Sequence, residues 1–279
     1  MPAGGWKGSS RNHRFERARR KRKMDKYVLV SCVLLSLATV PMLCQAQADA
    51  EADLQSLLSA FMAYTDLRVH SVQQSLEIIA STTEAGYGDW EAVKHVLGKY
   101  QESDGGLVVW FLLPDGTYYT VDKGLMDVKL SDRAYFPDLM SGREVTGALV
   151  VSKSTGQRSA VIAVPVIEAG EVIGAVGASL FLDVLADQLD SILALPADQG
   201  FYALAPSGLT TLHRKTDRHF LDPRELGSES LKQAADEMLS GSSGEVTYEY
   251  ESTMKRAIYR TSPLTGWKFA ITSSVGRPE

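Results

Sequence analysis

SDRAYFPDLMSG, residues 131–142, carries an arginine and two adjacent aromatic residues between two stretches of strand-like sequence. Ser131 suits a helix N-cap and Gly142 a terminator, so Asp132 to Met140 reads as a short helix. Upstream, LVVWFLL at 107–113 is a short apolar run meeting Pro114-Asp115-Gly116, a strand entering a tight turn. Thr117 to Val121 returns as its antiparallel neighbour. Downstream, Gly147 to Lys153, Arg158 to Val166 and Val172 to Leu180 give three more strands, broken at Thr155-Gly156 and Glu168 to Glu171. The segment is thus expected to be a helix on one face of a sheet of about five antiparallel strands. Phe181 to Leu195 is a helical exit that runs into Pro196.

The flanks extend this pattern in both directions. From Asp49 to Tyr100 there is no proline, and Leu54, Leu57, Phe61, Tyr64, Val72, Leu76 and Ile79 recur at mostly helical spacing. A break near residues 85–88 separates this long helix from a shorter one carrying Val93, Val96, Leu97 and Tyr100. On the other side, FYALAPSG at 201–208 and TTLHRK at 210–215 form a second strand-turn-strand unit. A helical stretch at 223–240 and strands at 244–250, 257–261 and 267–273 follow it. The order strand, turn, strand, helix, three strands therefore occurs twice, a degenerate internal repeat. The fold class is α+β: leading helices at 49–105, a first sheet module at 106–183 and a smaller second one at 184–279. The shorter second copy is expected to leave a roomy pocket only in the first.

Charge is unevenly distributed. Residues 1–26 hold ten Lys or Arg against Glu16 and Asp25, so the rest carries nineteen basic and thirty-two acidic side chains. Such a body repels nucleic acid, despite the run Arg19 to Lys23. The basic stretch precedes an uncharged run, YVLVSCVLLSLATVPMLC at 27–44, and a small-x-small triplet, Ala46-Gln47-Ala48. This is the order of a signal peptide, with 1–48 removed or kept as an amino-terminal anchor in the inner membrane. Met24 would make a more typical start than Met1, which leaves residues 1–23 as a candidate annotation extension. The chain is read as periplasmic or otherwise extracytoplasmic. Cys32 and Cys44 both lie in the apolar run, so the exported body has no disulfide, thiolate nucleophile or cysteine-bound metal.

The series FLLPDGTYYT, SDRAYFPDLMSG and STGQRSAVIAVPVIEAGEVIGAVGASL resembles the Cache domain, the extracellular sensor module of chemoreceptors and sensor histidine kinases. With the long leading helix and the second, smaller module, residues 50–275 resemble the double-Cache arrangement, which is PAS-like. The resemblance implies a membrane-distal first module that binds a small metabolite beneath the DR-x-YF segment and signals by helix displacement. It implies no cofactor. In amino-acid-binding members the corresponding segment runs R-x-W-Y, and an aspartate near the end of the last strand holds the ligand's ammonium. Here the aromatic pair is Tyr135-Phe136, and Ser179 stands at the aspartate's place. That departure favours a small organic carboxylate over an α-amino acid, since a buried ammonium needs its counter-charge.

The residues support the same chemistry independently. A guanidinium at Arg133, set among Ala134, Tyr135 and Phe136, matches a planar carboxylate with two parallel hydrogen bonds. Tyr135 offers a phenolic donor, Phe136 packing, and Lys153 a second cation from the facing strand. Tyr118 and Tyr119 alternate across a strand, so one of them faces the pocket. Asp122 and Asp127 could approach from the preceding loop. The bland alternative pairs Arg133 with Asp132 or Asp138 at the surface and leaves Lys153 in solvent.

Catalytic arrangements are hard to find. The serines of SKSTG and SGSSG lie in polar turns, none in a G-x-S-x-G elbow, and no phosphate-cradling loop occurs. His213 and His219, near Asp217 and Asp222, lack metal-ligand spacing and read as a surface loop. The competing classes are a partner-binding scaffold with no ligand in its pocket, an amino-acid-binding Cache protein and a secreted hydrolase. A sensor of this kind would act through a membrane-bound signalling partner, and the long leading helix is a candidate homodimer surface.

Overall fold

The computed structural model describes residues 51–275. The basic stretch, the apolar run at 27–44, the triplet at 46–48 and the choice between Met1 and Met24 lie outside them. Among the described residues, no helix is long and apolar enough to cross a membrane. Helix α1 (51–80), α2 (Thr83–Gly86) and α3 (Trp90–Ser103) lead into two antiparallel sheets. The first comprises β1 (Leu107–Leu112), β2 (Tyr118–Thr120), β3 (Gly124–Leu125), β4 (Val145–Val151), β5 (Arg158–Glu168) and β6 (Glu171–Phe181), with α4 (Phe136–Met140) on one face. Helix α5 (Leu182–Leu193) leads to β7 (Gln199–Leu204), β8 (Thr210–His213), α6 (Glu229–Ser240), β9 (Ser243–Tyr250), β10 (Thr253–Thr261) and β11 (Lys268–Ser274).

The spatial orders are β3-β2-β1-β6-β5-β4 and β8-β7-β11-β10-β9. Without the two-residue β3, the two sheets have the same topology, so the repeat legible in the sequence is a repeat of structure. Strand alternation gives each sheet two different faces. Val109, Phe111, Ile162, Val176 and Ala178 on the first sheet share one core with Phe201, Ala203, Phe269 and Ile271 on the second. Helix α1 contributes Leu58, Phe61, Val72 and Leu76 to that core, α3 Val93 and Leu97, and α5 Leu185 and Leu189. Each fully buried Leu or Phe in it is worth about 1.5–3 kcal/mol. The opposite faces hold separate clusters. Trp110, Leu112 and Tyr118 pack with Tyr135 and Leu139 on the first sheet, and Leu204, Tyr248 and Tyr259 with Leu231, Ala235 and Met238 on the second.

Two departures from the sequence expectation shape the site. The helix expected over Asp132 to Met140 is shorter, Phe136–Met140, and Ser131 does not cap it. Pro137 stands in its first turn, where its missing N–H costs nothing; a helix starting at Asp132 would put that proline in the interior and lose a bond. Residues 131–135 are instead turns, closed by Arg133 N–H to Leu130 O at 3.0 Å and Phe136 N–H to Arg133 O at 2.9 Å. The second departure is in β4, where the register with β5 shifts between Thr146 and Ala148. Gly147 there has φ 82°, and a Cβ on it would sit 3.2 Å from Trp267, which is buried at the end of the loop before β11. A bulge with a glycine at its centre thus brings the edge of the first sheet onto the second.

Candidate functional site

A small cavity of about 10 Å³ lies on the free face of the first sheet, beneath the turns that precede α4. Its walls are Trp110 (β1), Tyr118 (β2), Leu130, Arg133, Tyr135, Val150 (β4), Ser152, Lys153, Ser154, Val161 (β5) and Ser179 (β6). Arg133 is part-buried. Its Nη2 donates to Val151 O at 2.7 Å, while Nε is buried with no partner. The Tyr118 hydroxyl is likewise buried and unpartnered. Burial raises the pKa of Tyr118, with the nearby Arg133 charge opposing it, and pushes the Tyr135 phenol well above its ordinary range by the same balance. Both phenols therefore stay protonated and act as donors. Ser179 Oγ takes the Trp110 indole N–H at 3.3 Å, and no described group accepts the Ser179 proton. Buried donors without acceptors are costly, which makes this cluster an acceptor site in waiting.

Five of the eight expected site residues thus meet in one cavity: Arg133, Tyr135, Lys153, Ser179 and Tyr118. Lys153 is at the rim, its ammonium spent on Asp132 Oδ1 and Lys129 O, both at 2.6 Å. That pair holds the Asp132 carboxyl below its usual range. Arg133, by contrast, makes no ion pair with a described residue, and Asp138 is engaged by Arg143. The other three residues are placed elsewhere. Tyr119 faces the opposite side of β2, where strand alternation puts it, and stacks on Trp90 of α3 at 5.2 Å and 10°. Asp122 accepts from Gln101 Nε2 of α3 at 2.8 Å, so it too belongs to the helical side. Phe136 packs beside the cavity cluster without lining the cavity. Trp110, Ser152 and Ser154 were missed. The signal was available: Trp110 shares a face with Leu112, hence with Tyr118, which its pairing with β2 places opposite Leu112.

A second and larger cavity, about 60 Å³, occupies the equivalent face of the second sheet, contrary to the expectation that only the first module is roomy. It is lined by Tyr202, Leu204, Thr210, His213, Arg218, Pro223, Leu226, Leu231, Ala235, Tyr248 and Tyr250. The small side chain of Ala235 on the buried side of α6 leaves room that a larger one would fill. His213 and His219, read from sequence as a surface loop, are tied together: the His213 N–H donates to His219 Nε2 at 3.1 Å, and His219 Nδ1 meets Asp183 Oδ1 at 2.7 Å. With Nε2 accepting, the neutral ring carries its proton on Nδ1 and has no lone pair left for a metal. Among the described residues, no group of three or more His, Cys, Asp or Glu could hold a metal ion.

Solved structures share the fold. The sensory domain of the Campylobacter jejuni chemoreceptor Tlp3 with isoleucine bound matches with a TM-score of 0.61 at 13% identity, over 82% of this chain and 94% of that one. The fold is Cache-like. The extracellular domain of the putative histidine kinase rpHK1S-Z16 matches with a TM-score of 0.68 at 16% identity, over 82% of this chain and 96% of its own. An extracellular ligand binding receptor from Desulfohalobium retbaense gives 0.63 at 13% identity, over 79% of this chain and 40% of that one. No protein-family model matches the sequence, and no curated protein does. At such identities the likeness to Cache-like domains is one of fold, and the chemistry rests on this chain's own side chains.

The histidine pair gives the Cache-like body an acid sensitivity. Desolvation, then the His219, Arg218 and Lys215 charges, push the His213 pKa down to about 4, and desolvation also lowers that of His219 despite its bond to Asp183. A histidine held neutral on folding binds fewer protons than in the unfolded chain, so stability rises with pH between the two pKa values. The loss begins as pH falls through the unfolded value near 6.5 and is complete near 4. For His213 it is on the order of 3 kcal/mol in full, of which about 2 kcal/mol falls between pH 7 and pH 5. His213→Asn, whose amide oxygen can take the Lys215 N–H that His213 Nδ1 accepts at 2.8 Å, is expected to flatten this slope. Urea unfolding of both proteins at pH 7 and pH 5 measures it; parallel curves would exclude His213 as a source.

Proposed function

We propose that this chain is a non-catalytic, extracytoplasmic sensory protein of double-Cache type, whose first module binds a short-chain organic carboxylate. The observation that carries the reading is the convergence of an unpaired Arg133 Nε and an unpaired Tyr118 hydroxyl on one small cavity. A carboxylate supplies acceptor lone pairs to both and a charge to a guanidinium without a counter-ion. The free space is about 10 Å³, room for roughly one water, so a carboxyl group can take a water's place but any longer chain needs the overlying turns to open. The Trp110 indole occupies its floor and favours a short chain. The rim pair Lys153–Asp132 is nearly neutral, so the net positive charge of the pocket is that of Arg133.

Transmission has a material path in this reading. Tyr118 faces the ligand and Tyr119, its neighbour on β2, stacks on α3. Asp122 is bound to Gln101, whose Oε1 also takes the Val109 N–H at 3.0 Å. Arg68 of α1 reaches Asp104, just beyond α3, at 2.5 Å. A ligand that draws β2 inward would shift α3 against α1 and pass the change to a membrane-bound partner, with α1 as a homodimer surface. Leu67 and Ile78 support that role, since they lie on one side of α1 and are 67% and 69% exposed. The basic and apolar segments ahead of residue 49 support export.

Calorimetry of a panel of short carboxylates, their amides and branched amino acids against the wild-type and Arg133→Ala proteins tests the proposal. Loss of a charged hydrogen bond worth about 1.5–3 kcal/mol predicts at least about tenfold weaker carboxylate binding in the variant. Binding within about threefold of wild type would remove Arg133 from the site. Preference for the amino acid over the matching acid would move the reading to an amino-acid sensor.

A further inference from the structure

The cavity of the second sheet repeats the first one part for part. Trp110 of β1 corresponds to Tyr202 of β7, each facing a small residue on the central strand, Gly177 of β6 and Ala270 of β11. Val150 at the edge strand β4 corresponds to Tyr248 and Tyr250 at the edge strand β9. Each cavity is also reached by an arginine from the connection between the second strand and the helix, Arg133 in one and Arg218 in the other, and both have a buried Nε without a hydrogen-bond partner.

The charge balance differs. Arg218 Nη2 donates to Glu251 Oε1 at 2.9 Å, with Asp217 Oδ2 3.9 Å from Nε, and its guanidinium lies over the Tyr250 ring at 5.6 Å. Lys215 also reaches Glu251, at 3.5 Å. Two cations and two carboxylates cancel at this mouth, where Arg133 has no such partner. Apart from Thr210 and His213, both uncharged, the remaining walls are apolar residues and three tyrosines.

We infer that the second cavity is a separate ligand site, for an uncharged, ring-bearing molecule with one hydrogen-bond-accepting group. The ring lies between Tyr202, Tyr248 and the α6 face, and the acceptor meets Arg218 Nε. This site does not depend on what the first cavity binds.

Benzamide is a suitable probe, read by methyl NMR of the methionine-labelled full chain. Met238 Sδ is 3.1 Å from the Tyr202 hydroxyl and reports the second cavity, whereas Met126 packs against the first. Benzamide is expected to shift the Met238 methyl saturably and leave Met126 in place. Ala235→Phe, which fills the space, should abolish the titration. Arg218→Lys keeps the charge facing Glu251 but removes the Nε donor, and should weaken binding about tenfold. Benzoate should bind more weakly than benzamide. An unmoved Met238 at the probe's solubility limit overturns the proposal, as does a titration unchanged in Arg218→Lys or a preference for benzoate.

Discussion

Phe61→Ala is expected to lower the stability of the protein by about 3–5 kcal/mol. Phe61 is fully buried on α1, and its ring centroid lies 5.0 Å from that of Phe201 and 4.8 Å from that of Phe269, the latter nearly edge-on at 81°. Removing it forfeits the transfer energy of the ring, two aromatic contacts and the packing between helix and second sheet, which a rigid helix cannot collapse to fill. Because all three rings lie on the helical side, the first cavity is untouched, and its affinity for a carboxylate should be unchanged. Urea unfolding measures the loss, with Gln74→Ala at an exposed position of the same helix as the control, expected within about 0.5 kcal/mol of wild type. A Phe61→Ala loss of less than about 1 kcal/mol would mean that α1 does not anchor the second sheet.

Phe61 also shows why the architecture could be read from the chain. Its place in a series at helical spacing is a local signal, and the two LPDG- and APSG-type turns mark both modules at the same point of the repeat. These patterns depend on neighbours in sequence, so they survive without tertiary information. The helix over 132–140 was overextended because Ser131 is a good cap in isolation, while Pro137 decides the start through a bond five residues away from the segment's beginning. Local propensity lost to backbone chemistry.

The site was legible in proportion to how local its cause was. Arg133 and Tyr135 stood out because a charge and a ring sit side by side in an apolar context. Tyr118 and Tyr119 could not be told apart until the register Leu112 to Tyr118 fixed the face, after which alternation sends Tyr119 to Trp90. Asp122 follows Tyr119 to the helical side through Gln101. The size of the second cavity was invisible in principle: length of chain says little about volume, which here is set by Ala235 of α6 and by three tyrosines from β7 and β9 that meet only in three dimensions.

Gly177→Ala is expected to close the first cavity. Gly177 lies on β6 directly opposite Trp110, and a Cβ there would fall 2.2–2.6 Å from three atoms of the indole, far inside normal contact. In an ordinary strand, replacing glycine by alanine gains about 0.5–1 kcal/mol, because the unfolded chain loses freedom. Overlap of this size wins, since β6 is paired on both sides and cannot retreat. The indole must rotate away from the sheet, breaking its bond to Ser179, and the space open to it is the cavity under Arg133. A net loss of about 1–3 kcal/mol in stability is expected, with carboxylate binding no longer detectable. The variant Trp110→Leu alone should enlarge the cavity and admit longer acids, at a cost in stability of its own. Combined with Gly177→Ala, it removes the ring that the new methyl strikes, so the double variant should be more stable than the sum of the two changes allows, by at least about 1 kcal/mol, and should bind acids again. Additive losses, or a Gly177→Ala protein that still binds carboxylate as tightly as wild type, would show that Trp110 does not set the floor of this pocket.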